Sequence, residues 1–303
     1  MSMRQSINHI PQISQRQIYR LLQTKGSHWL KSHVLFADRQ ILVVNKPPNF
    51  VCQLSTTSKF DRRTTFLDPV FQDIKDWIQH SDPHPVHRLD KGTTGCLIFP
   101  LSHNVTKTIS QQFLQNTVNK TYLALVHAGE RAFRGTSGRI EDPIAYSDGY
   151  GRLDRKGKKA VTEWELVGSS AKTRLSLIRL KLLTGNKHQL RLHLAESLGA
   201  PILGDWNHSP REPNASLLAA TMVPNNRIFL HSSEVSFFRY HNKGKRYRLG
   251  IRAPLPPDFK RICEDVDIRL PRHTTDHGVV LFNDEIIDED LDEYMLWDPN
   301  RSY

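Results

Sequence analysis

The run Pro85-Val86-His87-Arg88-Leu89-Asp90-Lys91-Gly92-Thr93-Thr94-Gly95 sets one carboxylate on a tight turn, with a base on each side. An apolar segment, 96–99, follows at once and reads as a buried strand. Neighbouring cations favour the charged form of a carboxylate, and a charged carboxylate displayed on a turn has the chemistry of a nucleophile. Gly92 and Gly95 let the chain bend sharply and come close to a ligand. A surface Asp–Arg pair would present the same residues, so the run by itself leaves both readings open. His84, His87 and Asp90 recur every three residues, as metal ligands on a helix would. Pro83, Pro85 and Gly92 argue for a turn instead, and no metal ion is expected.

Several elements must hold this turn in place. Residues 34–37 and 41–46 read as two strands about a polar turn, the second stopped by Pro47 and Pro48. Residues 55–65 read as a basic loop, and 71–79 has helical spacing through Phe71, Ile74, Trp77 and Ile78. A helix is predicted over 103–117. Lys120 to Val126 alternates as a half-buried strand should. Residues 129–158 are basic and glycine-rich and read as a solvated loop able to touch phosphates. Two adjacent strands follow at 160–167 and 174–183, then a turn at Gly185 and a helix over 187–196 with Leu190, Leu194 and Leu198 inward. Residues 207–226 are polar, contain three prolines and read as an insertion; late strands are predicted at 228–231 and 235–240.

Net charge is +11 and the pI about 9.6, which points to a polyanionic partner. The charge is uneven. Residues 283–303 carry a net −7, leaving about +18 on the rest. The first 37 residues hold five bases and no acid, the profile of a mitochondrial presequence or of a basic arm that contacts RNA. Cys52, Cys96 and Cys263 show neither zinc nor disulfide spacing, as suits a reducing compartment. No apolar run reaches membrane-spanning length, so no membrane partner is expected.

Taken together, the ordered motifs resemble the RluA-type pseudouridine synthases. The resemblance rests on the Asp90 run, on Lys46-Pro47, on Lys120-Thr121-Tyr122-Leu123-Ala124, on Thr184-Gly185-Asn186-Lys187-His188-Gln189-Leu190-Arg191, and on Ala253-Pro254-Leu255-Pro256. Thr94 stands where that family usually has Ser, Asn49 where it has Gly, and Asn186 where it has Arg. The resemblance implies an α+β fold, a largely antiparallel mixed sheet with flanking helices and a central active-site cleft. It implies Asp90 as nucleophile, Tyr122 against the target uracil and Arg191 paired with Asp90. His87, Arg88, Lys187 and His188 are the expected RNA contacts, and no cofactor is called for. The implied division is a basic segment 1–33, a catalytic domain 34–262 and an extension 263–303 ending in the acidic tail. A monomer acting on RNA is expected. Mitochondrial location would suggest large-subunit rRNA; a tRNA or mRNA uridine, with the protein in cytoplasm or nucleus, is the alternative. Two other classes fit the residues less well. A non-catalytic RNA-binding assembly factor would not need Asp90, Tyr122 and Arg191 together. A nucleoside hydrolase would want a second carboxylate to activate water, and these motifs hold none.

Overall fold

Apolar residues placed at every second position, or in short unbroken runs, dictate a sheet, and the sheet organises the chain. The computed structural model describes residues 32–38, 40–52, 85–147, 149–209, 223, 227–240, 244–271 and 277–286. The expectations for 1–31, the loop 55–65, the helix 71–79, residues 210–222 of the insertion and the tail beyond 286 lie outside these residues.

Strands β1 (Val34–Ala37) and β2 (Ile41–Lys46) pair antiparallel. Their turn is clasped by Asp38, whose Oδ1 accepts the N–H groups of Gln40 and Ile41, each at 2.8 Å. Strand β3 (Thr94–Pro100), buried along its whole length, lies antiparallel to β2. After helix α1 (His103–Leu114) and strand β4 (Asn119–Val126), the chain reaches β5 (Ser137–Ile140). Strands β6 (Ile144–Ser147) and β7 (Tyr150–Leu153) form a separate hairpin. The main sheet resumes with β8 (Thr162–Ser169) and β9 (Ser176–Leu182). The short helix α2 (Gln189–Leu192) runs into a π-helical turn, His193–Ser197. Strands β10 (Leu230–Tyr240) and β11 (Arg246–Arg252), helix α3 (Pro257–Asp265), and strands β12 (Val279–Phe282) and β13 (Glu285–Ile286) complete the described chain. Residues after 262 thus add two strands to the same sheet.

Among the described residues the sheet holds eleven strands, with the path β1-β2-β3-β10-β4-β9-β8-β5 and a branch β10-β11-β12-β13. Among the described residues, only β3 and β10 run parallel, over His231↔Thr94 and Ser232↔Gly95. Beyond that point the same edge of β10 passes to β11. The sheet therefore forks at the start of β3, directly after the Asp90 turn. This is the α+β architecture with a largely antiparallel mixed sheet.

Alternation sorts the side chains. Leu97, Phe99, Ala124 and Val126 enter one core, together with Leu190 and Leu194 from α2 and the turn after it. Cys96 and Ile98 face the other side, against Ile109 of α1, and Leu123 and Leu125 meet Phe259 and Ile262 of α3. Gln112 of α1 accepts the N–H of Phe238 at 2.8 Å and donates to its carbonyl at 2.9 Å, tying the helix to β10.

Two expectations need correction. The loop expected over 129–158 contains β5 and the β6–β7 hairpin. Its charges hide a partial alternation in which Ile144 is fully buried and Tyr146 and Leu153 pack beside it. The strands expected at 228–231 and 235–240 are one strand, β10. The polar interruption Ser232-Ser233-Glu234 is a bulge in the pairing with β4, where Ser233 Oγ donates to the Thr121 carbonyl at 3.2 Å.

Gly95 has φ +109, and a Cβ there would fall 2.2 Å from the Ser232 carbonyl oxygen. Gly95→Ala should therefore cost at least about 2 kcal/mol, as left-handed strain adds to a backbone clash. Urea denaturation reads this directly, and a wild-type midpoint would contradict the fork geometry.

Candidate active site

Asp90 lies in a cleft of about 570 Å³, walled among others by Arg88, Thr93, Tyr122, Lys187, His188 and Leu230. Its turn is closed by the Thr93 N–H, which donates to the Asp90 carbonyl at 3.0 Å. Two buried cations hold the next carbonyls. Lys46, at the end of β2 and 1% exposed, donates from Nζ to Lys91 O at 3.1 Å, Pro47 O at 3.0 Å and Phe50 O at 2.9 Å. Arg227 reaches Gly92 O at 3.5 Å while its Nε binds Asp258 at 2.7 Å. An ammonium in such a dry place loses hydration, so burial lowers the Lys46 pKa to about 8, against the opposing pull of Cys52 and Asp90. Thr93 lines the cleft, and its hydroxyl is buried with no hydrogen-bond partner among the described residues.

Arg191 approaches from α2. The helix is set on β8 by one face: Gln189 Nε2 donates to Val161 O and Thr162 Oγ1, each at 3.1 Å, and His193 Nδ1 meets Thr162 Oγ1 at 3.0 Å. Asn186, where the resembled family has Arg, donates from its backbone N and from Nδ2 to Gln189 Oε1, at 3.1 and 3.2 Å, and from Nδ2 to Lys159 O at 2.9 Å. It secures the turn into the helix. The guanidinium then points away from β8. Its Nε and Nη2 take the two oxygens of Asp205 at 2.7 Å each, and Nη1 reaches Asp90 Oδ2 at 3.4 Å. Burial disfavours this charge, but the Asp205 and Asp90 carboxylates more than offset it, and the Arg191 pKa is raised.

Tyr122, on β4, is 6% exposed and belongs to the core that includes Leu89, Leu180 and Leu230. Burial raises its pKa, opposed by a hydrogen bond with Ser232, so the phenol stays neutral. His188 has φ +53 and is half-buried, with Nε2 3.9 Å from Asp90 Oδ1. Burial lowers its pKa to about 4, against the pull of Asp90. Lys187 is exposed and donates from Nζ to Gly149 O at 2.9 Å, while its own carbonyl accepts from Tyr146 Oη at 2.5 Å. Arg88 is exposed at the rim. The His87 ring stacks on Phe113 at 4.8 Å, and its Nε2 accepts the Ile98 N–H at 3.1 Å. His87 thus braces β3 against α1 from the cleft wall. Lys120 also lines the cleft, and burial lowers its pKa to about 8.

Asp90, Tyr122, Arg191 and His188, spread over a hundred residues of sequence, therefore meet in one cleft. Sequence reasoning assigned no role in the site to Asp205, to Lys46 as a carbonyl donor, to Arg227 or to His208. Asp205 was visible as a carboxylate just after Ala200-Pro201-Ile202-Leu203-Gly204 in a basic body, and Lys46 as part of the Lys46-Pro47 motif; Arg227 and His208 carry no local signal. Among the described residues no group of three His, Cys, Asp or Glu side chains is placed to hold a metal ion. A carboxylate, a fixed guanidinium and a buried neutral phenol, ringed by bases, suit attack on a flat polyanionic substrate.

Comparison with known proteins agrees. Residues 40–196 match the family model described as RNA pseudouridylate synthase. The tRNA pseudouridine synthase C of Pasteurella multocida is 34% identical over 219 residues, spanning 67% of this chain and 84% of that protein. The uncharacterized RNA pseudouridine synthase YhcT of Bacillus subtilis is 31% identical over 234 residues, 76% of this chain and 70% of that protein. The solved structure of human RNA pseudouridylate synthase domain containing 4 shares the fold, with TM-score 0.64 and 23% identity over 85% of this chain and 99% of that one. The chain belongs to the RluA-type family of RNA pseudouridine synthases and is an enzyme of RNA modification.

The two carboxylates around Arg191 should differ in what they do. Asp205 is 1% exposed and fully engaged, so Asp205→Ala, which leaves a buried guanidinium half-paired, should cost about 3–5 kcal/mol. Asp90 is partly exposed, and Asp90→Ala should cost about 1 kcal/mol or less. Urea denaturation of both variants tests the distinction; equal losses would contradict it.

Proposed function

We propose that the protein isomerises a specific uridine of a structured RNA, with Asp90 as the group that acts on the ribose. The reaction breaks the N1–C1′ bond and rejoins the ring to C1′ through C5; the C5 proton leaves and N1 gains one, so no redox agent enters. The observation that carries this reading is the Asp90 carboxylate in the cleft, aimed by the Arg191 Nη1 at 3.4 Å. Asp90 attacks C1′ or removes the C2′ proton, in either case as a carboxylate. Tyr122 offers a flat, uncharged face for the uracil. Because the target atoms lie inside a base stack, the nucleotide must leave it, at a cost of a few kcal/mol. Exposed bases at the rim, Arg88 and Lys187 among them, supply sequence-independent attraction to phosphates that offsets this cost.

The RNA we propose is mitochondrial large-subunit rRNA, supported by the acid-free basic segment at the start of the chain. A second reading, a tRNA, is favoured by the name of the Pasteurella multocida relative. One experiment separates them. Pseudouridines are mapped in mitochondrial rRNA, tRNA and cytosolic RNA from cells lacking the protein, from cells given it back, and from cells given Asp90→Asn. A site in mitochondrial large-subunit rRNA should disappear, return with the wild type and stay absent with Asp90→Asn. Loss confined to tRNA would establish the second reading, and restoration by Asp90→Asn would remove Asp90 from its role.

A further inference from the structure

His208 lies in the segment after Asp205, outside every motif that carries the family resemblance. Its Nε2 is 3.2 Å from His188 Nδ1, and the two rings meet edge-on with centroids 5.3 Å apart. The opposite nitrogen of His188, Nε2, faces Asp90 Oδ1 at 3.9 Å. Both imidazoles are neutral at physiological pH, since burial lowers the pKa of each. A neutral imidazole carries one N–H and one lone pair, so a contact between two such nitrogens holds a single proton. Two arrangements exist. If His188 donates through Nδ1, the lone pair on its Nε2 faces the Asp90 carboxylate, which repels it. If His208 donates through Nε2, the His188 proton sits on Nε2 and points at the carboxylate. Coulomb's law selects the second.

We propose that His208 is a positioning residue for the reaction. It donates Nε2–H to His188 Nδ1, fixes His188 as the Nε2–H form, and so sets a second donor beside Arg191 toward the Asp90 carboxylate. The contact also steadies a backbone that a non-glycine residue rarely adopts, φ +53 at His188. The 3.9 Å gap closes when the nucleotide seats, as catalytic hydrogen bonds commonly tighten in the complex. The charged or titratable groups facing the pair are Asp90, Arg191 and Lys187 around His188, and Asp205, Arg191, Glu196 and Asp90 around His208. Asp90 thus feels the Arg191 and Lys46 cations, with the His188 dipole added to them.

The inference rests on reading Asp90 as the reacting carboxylate, and the tests keep the two claims apart. The first needs no substrate. In the full-length protein labelled with 15N-histidine, imidazole nitrogen shifts should show His188 protonated on Nε2 and bare on Nδ1. A proton on His188 Nδ1 would overturn the proposal, whatever Asp90 does. The second test is single-turnover release of tritium from C5-labelled uridine, in RNA taken from cells lacking the protein. His208→Leu should slow the step about ten- to hundredfold, the scale seen when the partner orienting a functional histidine is lost. RNA affinity should not change. His208→Gln, whose amide can donate to His188 Nδ1, should recover most of the rate. Leucine and glutamine variants slowed to the same rate would reduce His208 to a structural role. A wild-type rate for the leucine variant would remove it from the reaction.

Discussion

One buried guanidinium joins the parts of this enzyme. Arg191 is 4% exposed, and a charge so placed is tolerable only if its N–H groups are matched by acceptors. Asp205 takes two of them in a parallel fork, and that geometry fixes the plane of the group. The remaining N–H direction points at Asp90. The carboxylate that the cleft presents is thus oriented by a residue whose own position is decided elsewhere, by a second carboxylate fourteen residues further along.

The fold explains why those residues can meet. Parallel pairing of β3 with β10 begins immediately after the Asp90 turn and lasts only two residue pairs, after which the edge of β10 belongs to β11. A sheet that forks leaves room at the fork, and the cleft opens there. The turn at that point has carbonyls that cannot join a strand ladder. Lys46 and Arg227 satisfy them as charged donors, so two cations stabilise the loop that displays an anion. On the opposite wall, Gln189 and His193 anchor one face of α2 to Thr162, which leaves the face bearing Arg191 turned to the cleft.

Much of this was legible in the sequence, and for physical reasons. Strands β2, β3 and β4 are short apolar or alternating runs, and helix α1 has helical spacing, so periodicity alone located them. The roles expected of Asp90, Tyr122 and Arg191 came from ordered motifs, and the chain brings all three to one cleft. What periodicity could not show is contact between distant residues. Asp205 binds Arg191 because the helical stretch ends at Gly199, φ +64, and residues 202–203 then bond to β4, a path with no sequence period. Ser232 and Ser233 looked like an interruption because they are polar, yet a bulged strand satisfies them inside the sheet. The β6–β7 hairpin was hidden because its strands are four residues long and only Ile144, Tyr146 and Leu153 join a core.

The most direct test of the central claim is to keep the charge of Arg191 and remove its shape. Lysine carries the same charge but offers a single nitrogen, so it cannot hold Asp205 by two bonds and still direct a third at Asp90. Single-turnover conversion of uridine by Arg191→Lys, measured beside RNA binding, should fall at least about a hundredfold with affinity retained, in the range found when a preorganised donor is lost. Conversion near the wild-type rate would mean that charge alone suffices and that the fork to Asp205 does not orient the site.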